Sequence, residues 1–305
     1  MNRDTIYYKQ VQLLIRVLPL VATETCFALK GGTAINLFIR DMPRLSVDID
    51  LVYLPMHERD EALSNIKAAL GRISTLIKKT IRGVSVQNTH EQSEALRLIV
   101  QNNDVRIKIE LSPVIRGTIF SEKVMQVSKS VEDNFGYAEI QVVSIPDLYA
   151  GKICAALDRQ HPRDLFDVKL LFENEGFSKD LRKAFIIFLI SHQRRIAELL
   201  QPNTKDLKSV YENEFYQMTQ VDVSLDDLID TRELLIKTIH SDLTNEEKQF
   251  LISFKAKTPK WDLLGLKNIE VIQELPSVKW KMRNLMQMPV VKHETALEKL
   301  KKILL

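Results

Sequence analysis

One stretch constrains this chain more than any other. Leu29-Lys30-Gly31-Gly32-Thr33 is followed by an apolar helix-like run and then by Arg44-Leu45-Ser46-Val47-Asp48-Ile49-Asp50-Leu51. The Gly pair closes a short apolar strand and lets backbone N–H groups approach a phosphate closely. Asp48 and Asp50 stand i, i+2 in a second apolar strand, so alternation places both carboxylates on one face. Two carboxylates so close repel each other unless a cation lies between them. A hard divalent ion, Mg²⁺ foremost, suits an all-oxygen site that also holds substrate phosphates. A lone Asp-x-Asp is usually a solvated strand end and a lone Gly-Gly a turn. The combination points to chemistry on a nucleotide.

The remaining sequence sets limits. Apolar content of 45% and charged content of 27% over 305 residues are ordinary for a globular protein, in one large domain or two modest ones. No run approaches the roughly 18 consecutive apolar residues of a membrane span. Met1 to Thr5 lead into a mixed amphipathic run rather than a signal peptide. Cys26 and Cys154 lie in apolar surroundings and read as reduced core residues, so a cytoplasmic location is expected. The net charge of +3 says little about nucleic acid, but its distribution says more. Residues 196–251 carry 5 basic and 12 acidic residues, and residues 252–305 carry 11 basic and 5 acidic. The basic tail is either a solvated helical face or an acceptor surface, with Lys279, Lys281 and Arg283 as its phosphate contacts.

Periodicity predicts a helix over 6–20, a strand over 27–30, and a helix over 34–39 capped by Thr33. A strand over 47–54 stops at Pro55, and a helix follows over 59–79. Strands are expected over 83–86, 95–100, 105–111 and 138–143, with a hairpin turn at Asn102-Asn103-Asp104. Pro146 and Pro162 open two helices, and the chain is helical from Gly176 onward. This order implies an α+β fold: a mixed-sheet catalytic domain over 1–175 and a helical domain over 176–305.

Two further groups carry chemistry. In the strand 105–111, Arg106, Lys108 and Glu110 share one face, and Glu110 either joins Asp48 and Asp50 as a third carboxylate or faces water. Lys152 and Arg159 share one face of a helix, and Asp164 and Asp167 lie three apart in the first turns of the next. Lys152 is a point charge suited to a triphosphate. Arg159 either clamps phosphate or holds Asp164 or Asp167 in place. Asp167 could position Lys152, contact base or ribose, or accept a proton.

The turn and the Asp-Ile-Asp strand resemble the first motif of the DNA polymerase β-like nucleotidyltransferase superfamily. The Arg-x-Ser-x-Asp-x-Asp-Leu form resembles, more narrowly, the AbiEii/AbiGii nucleotidyltransferase toxin family. Many superfamily members carry Gly-Ser at the turn, where this chain has Gly31, Gly32 and Thr33 with its hydroxyl one position later. The second half of the resemblance is the family's Lys-x-x-Ala-x-x-x-Arg-x-x-x-Arg-Asp-x-x-Asp-Leu pattern. Lys152, Ala155, Arg159, Arg163, Asp164 and Asp167 match it, and Val168 replaces the final Leu. Trp-containing blocks at Trp261 and Trp280 extend the likeness along the tail.

The resemblance implies a polymerase β-like core and transfer of a nucleotidyl group from a nucleoside triphosphate to RNA, tRNA foremost. It also implies a cognate antitoxin, in an abortive-infection or type IV toxin–antitoxin system. Asp48, Asp50, Lys152 and Asp167 would be catalytic. Gly31, Gly32, Thr33, Ser46, Lys152, Arg159 and Asp164 would bind the nucleotide, and Asp48, Asp50 and Glu110 two Mg²⁺ ions. Two other classes stay open: a small-molecule nucleotidyltransferase of the antibiotic-modifying kind, and a non-catalytic nucleotide- or partner-binding module. The latter would be marked by loss of a motif carboxylate.

Overall fold

A computed structural model describes residues 5–88 and 96–305 of the chain. Met1 to Asp4, and Ala95 at the start of one expected strand, lie outside the described residues. The chain divides into two compact units, one running to Ser144 and including Gln217–Asp222, the other comprising Ile145–Tyr216 and Val223–Leu305.

The first unit opens with α1 (Ile6–Val21), whose first turn is capped by the Thr5 hydroxyl. Then come β1 (Phe27–Lys30), α2 (Gly31–Ala34, continuing as a π-helical turn over Ile35–Ile39) and β2 (Asp48–Tyr53). They are followed by α3 (Arg59–Thr80), β3 (Val84–Asn88), β4 (Leu96–Asn102), β5 (Val105–Arg116), β6 (Lys123–Gln126), α4 (Lys129–Phe135) and β7 (Glu139–Val142). The strands make one mixed sheet in the order β3-β4-β5-β2-β1-β7-β6. β2 runs parallel to β5 and antiparallel to β1.

Alternation sorts the sheet into two faces. Ile49, Leu51, Ile107, Ile109 and Leu111 are buried, while Asp48, Asp50, Lys108 and Glu110 stand on the opposite face. α1 lies against β5 and β7, and α3 against β3 and β4. β6 and α4 were not expected from sequence: β6 exposes three of its four residues and shows no alternation to read. The expected hairpin is present as a two-residue turn, with Asn103 at φ 51° and Asn102 paired to Val105.

The second unit is helical: α5 (Ile145–Arg159), α6 (Pro162–Asn174), α7 (Lys179–Ser191), α8 (Ile196–Leu200), α9 (Lys208–Val210), α10 (Leu225–Asp242), α11 (Asn245–Lys255), α12 (Ile269–Gln273), α13 (Pro276–Met286) and α14 (Val290–Leu304). Pro162 and Pro276 begin their helices, where a missing N–H costs nothing. The expected division at residue 175 falls inside this unit because α5 packs along α7, and α6 along α5 and α10. Trp261 is a packing anchor, its ring centroid 5.1 Å from that of Phe250 and 6.2 Å from that of Phe254. No helix among the described residues is long and apolar enough to cross a membrane.

Candidate active site

The Gly-Gly turn is built around two close approaches. Gly31 has φ +75°, and a Cβ there would lie 2.5 Å from Asp50 Oδ2. A Cβ on Gly32 would lie 2.9 Å from both Ser46 Oγ and an Arg44 guanidinium nitrogen. The turn therefore needs glycine twice: once for a left-handed backbone beside a carboxylate, once for room. Arg44 is buried and donates to the Leu45 carbonyl at 2.9 Å. The helix begins at Gly31, three residues earlier than the sequence suggests, so Thr33 lies inside its first turn and is not the cap. The Thr33 side chain, 1% exposed, donates to the Asp48 carbonyl and lies 3.0 Å from Ser46 Oγ. Its hydroxyl ties the turn to β2. The first-turn N–H groups of α2, which lack intrahelical partners, are the donors the turn offers.

Gly31→Ala is expected to push the Asp50 carboxylate aside and to strain the backbone by about 1–2 kcal/mol. Nucleotidyl transfer should fall at least about tenfold, with a modestly lower melting temperature. Transfer assays and thermal denaturation on the same preparation check both parts.

The strand register brings the acidic residues together. Asp48 pairs with Lys108 and Asp50 with Glu110 across β2 and β5, while Asp50 pairs with Lys30 across β1 and Glu110 with Arg97 across β4. Directly opposed residues share a face. Glu110 is thus beside Asp50 as expected, but its carboxylate is ion-paired to Arg97 and lies 4.0 Å from Lys108 Nζ. Lys108 Nζ also lies 3.6 Å from Asp48 Oδ2. Among the described residues no three His, Cys, Asp or Glu side chains form a group able to hold one ion. The expected third metal ligand, Glu110, is engaged by cations of the protein's own.

In the second unit, Lys152, Arg159, Asp164 and Asp167 form one ionic cluster. Lys152 Nζ lies 2.8 Å from Asp164 Oδ1 and 3.0 Å from Asp167 Oδ2. The Arg159 guanidinium grips both oxygens of Asp164, one of them at 2.8 Å. Lys152 is 7% exposed, and Asp164 and Asp167 are fully buried. Burial pushes the Asp164 carboxyl up, but the charge of Lys152 and the hydrogen bonds and charge of Arg159 outweigh it and hold it well below the usual range. Arg159 thus holds Asp164, which is one of the roles read from sequence. His161 caps α6, its ring accepting the Arg163 N–H at 3.1 Å, as suits a turn residue before proline.

Comparison with known families decides the class. Residues 12–284 match the model of the nucleotidyl transferase AbiEii toxin, a type IV toxin–antitoxin component. The chain belongs to the AbiEii nucleotidyltransferase toxin family. No curated protein sequence matches it. Its fold is similar to that of MenT4, a nucleotidyltransferase toxin from Mycobacterium tuberculosis, with TM-score 0.62 over 93% of this chain and 95% of that one, at 13% identity. The likeness to MenT4 is one of fold. Membership in the AbiEii family brings with it a nucleoside triphosphate substrate and an antitoxin partner.

For this AbiEii toxin the donor chemistry of Asp48 and Asp50 fits a hard divalent cation, with two part-exposed carboxylates on one face and an ammonium already drawn to one of them. Sequence reading missed Arg97, Lys108 and Arg44 as parts of the site. Lys108 could have been found, since it shares the face of Glu110. Arg97 depends on which strand pairs with β5, and Arg44 on its burial beneath Gly32.

Proposed function

We propose that this AbiEii toxin transfers a nucleotidyl group from a nucleoside triphosphate to a hydroxyl of RNA, tRNA foremost, in a Mg²⁺-dependent reaction in the cytoplasm. The observation that carries this reading is the seating of the Asp50 carboxylate against Gly31. It sets the acidic pair at the mouth of the turn whose N–H groups can take a phosphate. Asp48 and Asp50 would hold the cation, which when bound supplies charge neutralisation and activation of the attacking oxygen. Gly31 and Gly32 give the triphosphate close access to the backbone, and Ser46 offers a hydroxyl beside it. The acceptor oxygen bonds to the α-phosphorus as the bond to the β-phosphate oxygen breaks. Pyrophosphate leaves, and the hydroxyl proton passes to water. A contact from Lys152 to the triphosphate, with Asp164 and Asp167 fixing the ammonium, is a separate part of the proposal and is tested separately.

The test incubates the protein and Mg²⁺ with each α-labelled triphosphate in turn and total cellular RNA. Label from one triphosphate should enter an RNA band and disappear with chelator. Label confined to small molecules or to the protein itself would overturn the RNA assignment.

Lys108 gives a second test. Its ammonium lies 3.6 Å from Asp48 Oδ2, on the face where Asp48 and Asp50 would hold the cation, so the two would compete. Lys108→Met should tighten Mn²⁺ binding about two- to fivefold, the modest effect expected of a part-exposed pair screened by solvent. Calorimetric titration reads this without turnover; unchanged or weaker affinity would remove Lys108 from the cation site.

A further inference from the structure

The basic tail contains a feature the transferase reading does not use. Within the helical unit, two adjoining cavities of about 240 and 190 Å³ open among α8, α11, α13 and α14 and share Arg195, Lys255 and Lys292. Five cationic side chains line them (Arg195, Lys255, Lys281, Lys292 and Lys299), against the single carboxylate of Glu198, which lies 3.4 Å from Arg195.

The lysines are not equivalent. Lys281, proposed from sequence as an acceptor contact, is tied down: its ammonium donates to the carbonyls of His192, of Gln193 at 3.4 Å and of Arg194 at 3.0 Å. Burial, with Lys255 adding, pushes Lys281 down to about 8. Lys279 is paired with Glu274. Lys255 is the anomaly. It ends α11, is 7% exposed, lines both cavities, and has no carboxylate or carbonyl on its ammonium among the described residues. Burial lowers its pKa, and its charged neighbours, the cations Arg195 and Lys257, lower it further. The stem of Lys255 is buried while its ammonium opens onto the cavities among other cations, so an anion entering there would supply the charge the site lacks.

We propose that the paired cavity around Lys255 is a binding site for a phosphate-bearing anion. The small, concave cavities suit a terminal phosphate or short oligophosphate rather than the flank of a duplex, and the exposed Lys292 and Lys299 at the rim suit the charges that follow. The anion is either a free oligophosphate or the 5′-phosphate end of RNA. The site stands independently of the transferase reading, because binding is read without turnover.

Trp280 lines the smaller cavity, while the chain's other tryptophan, Trp261, packs against Phe250. Sodium tripolyphosphate titrated into the full chain, without divalent metal, should change tryptophan fluorescence, and the change should vanish in Trp280→Phe. Calorimetry should give the same affinity, falling as salt rises. Lys255→Met keeps the buried stem and removes the charge, so it should melt at or above the parent temperature and bind at least about tenfold more weakly. Lys292→Ser with Lys299→Ser, at the exposed rim, should weaken binding severalfold and serves if the core variant does not fold. Competition by a 5′-phosphorylated oligoribonucleotide, and not by its 5′-hydroxyl twin, would assign the site to an RNA end; competition by neither would assign it to a free oligophosphate. Absence of tripolyphosphate binding at millimolar concentration, or equal binding by parent and Lys255→Met, would overturn the proposal.

Discussion

Asp50→Asn should lower nucleotidyl transfer by roughly a thousandfold or more while leaving the melting temperature equal to or above that of the parent. The activity loss follows from the role assigned to the carboxylate. Removing one ligand of a catalytic cation forfeits several kcal/mol of transition-state stabilisation, and each 1.4 kcal/mol is about tenfold in rate. The stability expectation follows from the register. Asp50 stands beside Glu110 on β5 and two residues from Asp48, so neutralising it relieves repulsion among three carboxylates on one face. The amide is nearly the same size, so its fit against Gly31 is kept. Asp48→Asn should lose activity to the same degree, but it also gives up the contact with Lys108 at 3.6 Å, a part-exposed pair worth little. Asp50→Asn is therefore the cleaner variant. Near-normal transfer, measured with the variant's melting curve in hand, would remove the carboxylate pair from the chemistry. Loss of activity together with loss of fold would leave Gly31→Ala, which displaces the carboxylate without deleting it, as the deciding comparison.

What could be read from the sequence was mostly local. Alternation fixes that Asp48 and Asp50 share a face, and that Lys108 and Glu110 share one, whatever the sheet does. That the two faces are the same face depends on β5 pairing with β2. That is a parallel, non-adjacent partnership, since two strands and a helix lie between them in the chain. Arg97 is subject to the same limit one strand farther out. Thr33 shows a different failure. A hydroxyl before an apolar helical run is a good capping signal, but the helix starts three residues sooner, at Gly31 with its positive φ, and the hydroxyl turns inward onto the Asp48 carbonyl. Spacing placed Lys152 and Arg159 on one helix and Asp164 and Asp167 at the start of the next, but it carried no information on burial. That decides whether such charges are a solvated face or a sealed cluster. Lys255 and Lys281 were hidden for the same reason, because four helices must meet before either is buried.

The sealed cluster makes the largest stability prediction. Lys152→Ala leaves Asp164 and Asp167, both fully buried, without the ammonium that lies 2.8 and 3.0 Å from them. Breaking a buried ion pair from one side costs about 3–5 kcal/mol, because the remaining charge has no water to turn to. The melting temperature should fall by roughly ten degrees. Loss of activity in Lys152→Ala alone is therefore no sign of a phosphate contact. Combining Lys152→Met with Asp164→Asn and Asp167→Asn removes the charges together and should recover much of the stability, since the cost lies in the unpaired charge rather than in the missing attraction. The acid limb gives an independent reading. Asp164 is held well below its ordinary value of 3.8 by Lys152 and Arg159 against the opposing pull of burial. A carboxyl with a depressed folded pKa contributes stability that is complete above the unfolded value and lost as pH falls through the folded one. Stability of the parent should thus decline steeply below about pH 4, and that part of the decline should be absent in Asp164→Asn. The catalytic question is then settled on folded protein below the variant's melting range. If triphosphate affinity drops in Lys152→Ala and Lys152→Arg restores it only in part, the ammonium touches phosphate as well as the two aspartates. If affinity is unchanged where the variant is folded, Lys152 is a positioning residue, and the family's Lys–Arg–Asp–Asp pattern in this chain is chiefly the lock that holds α5 to α6.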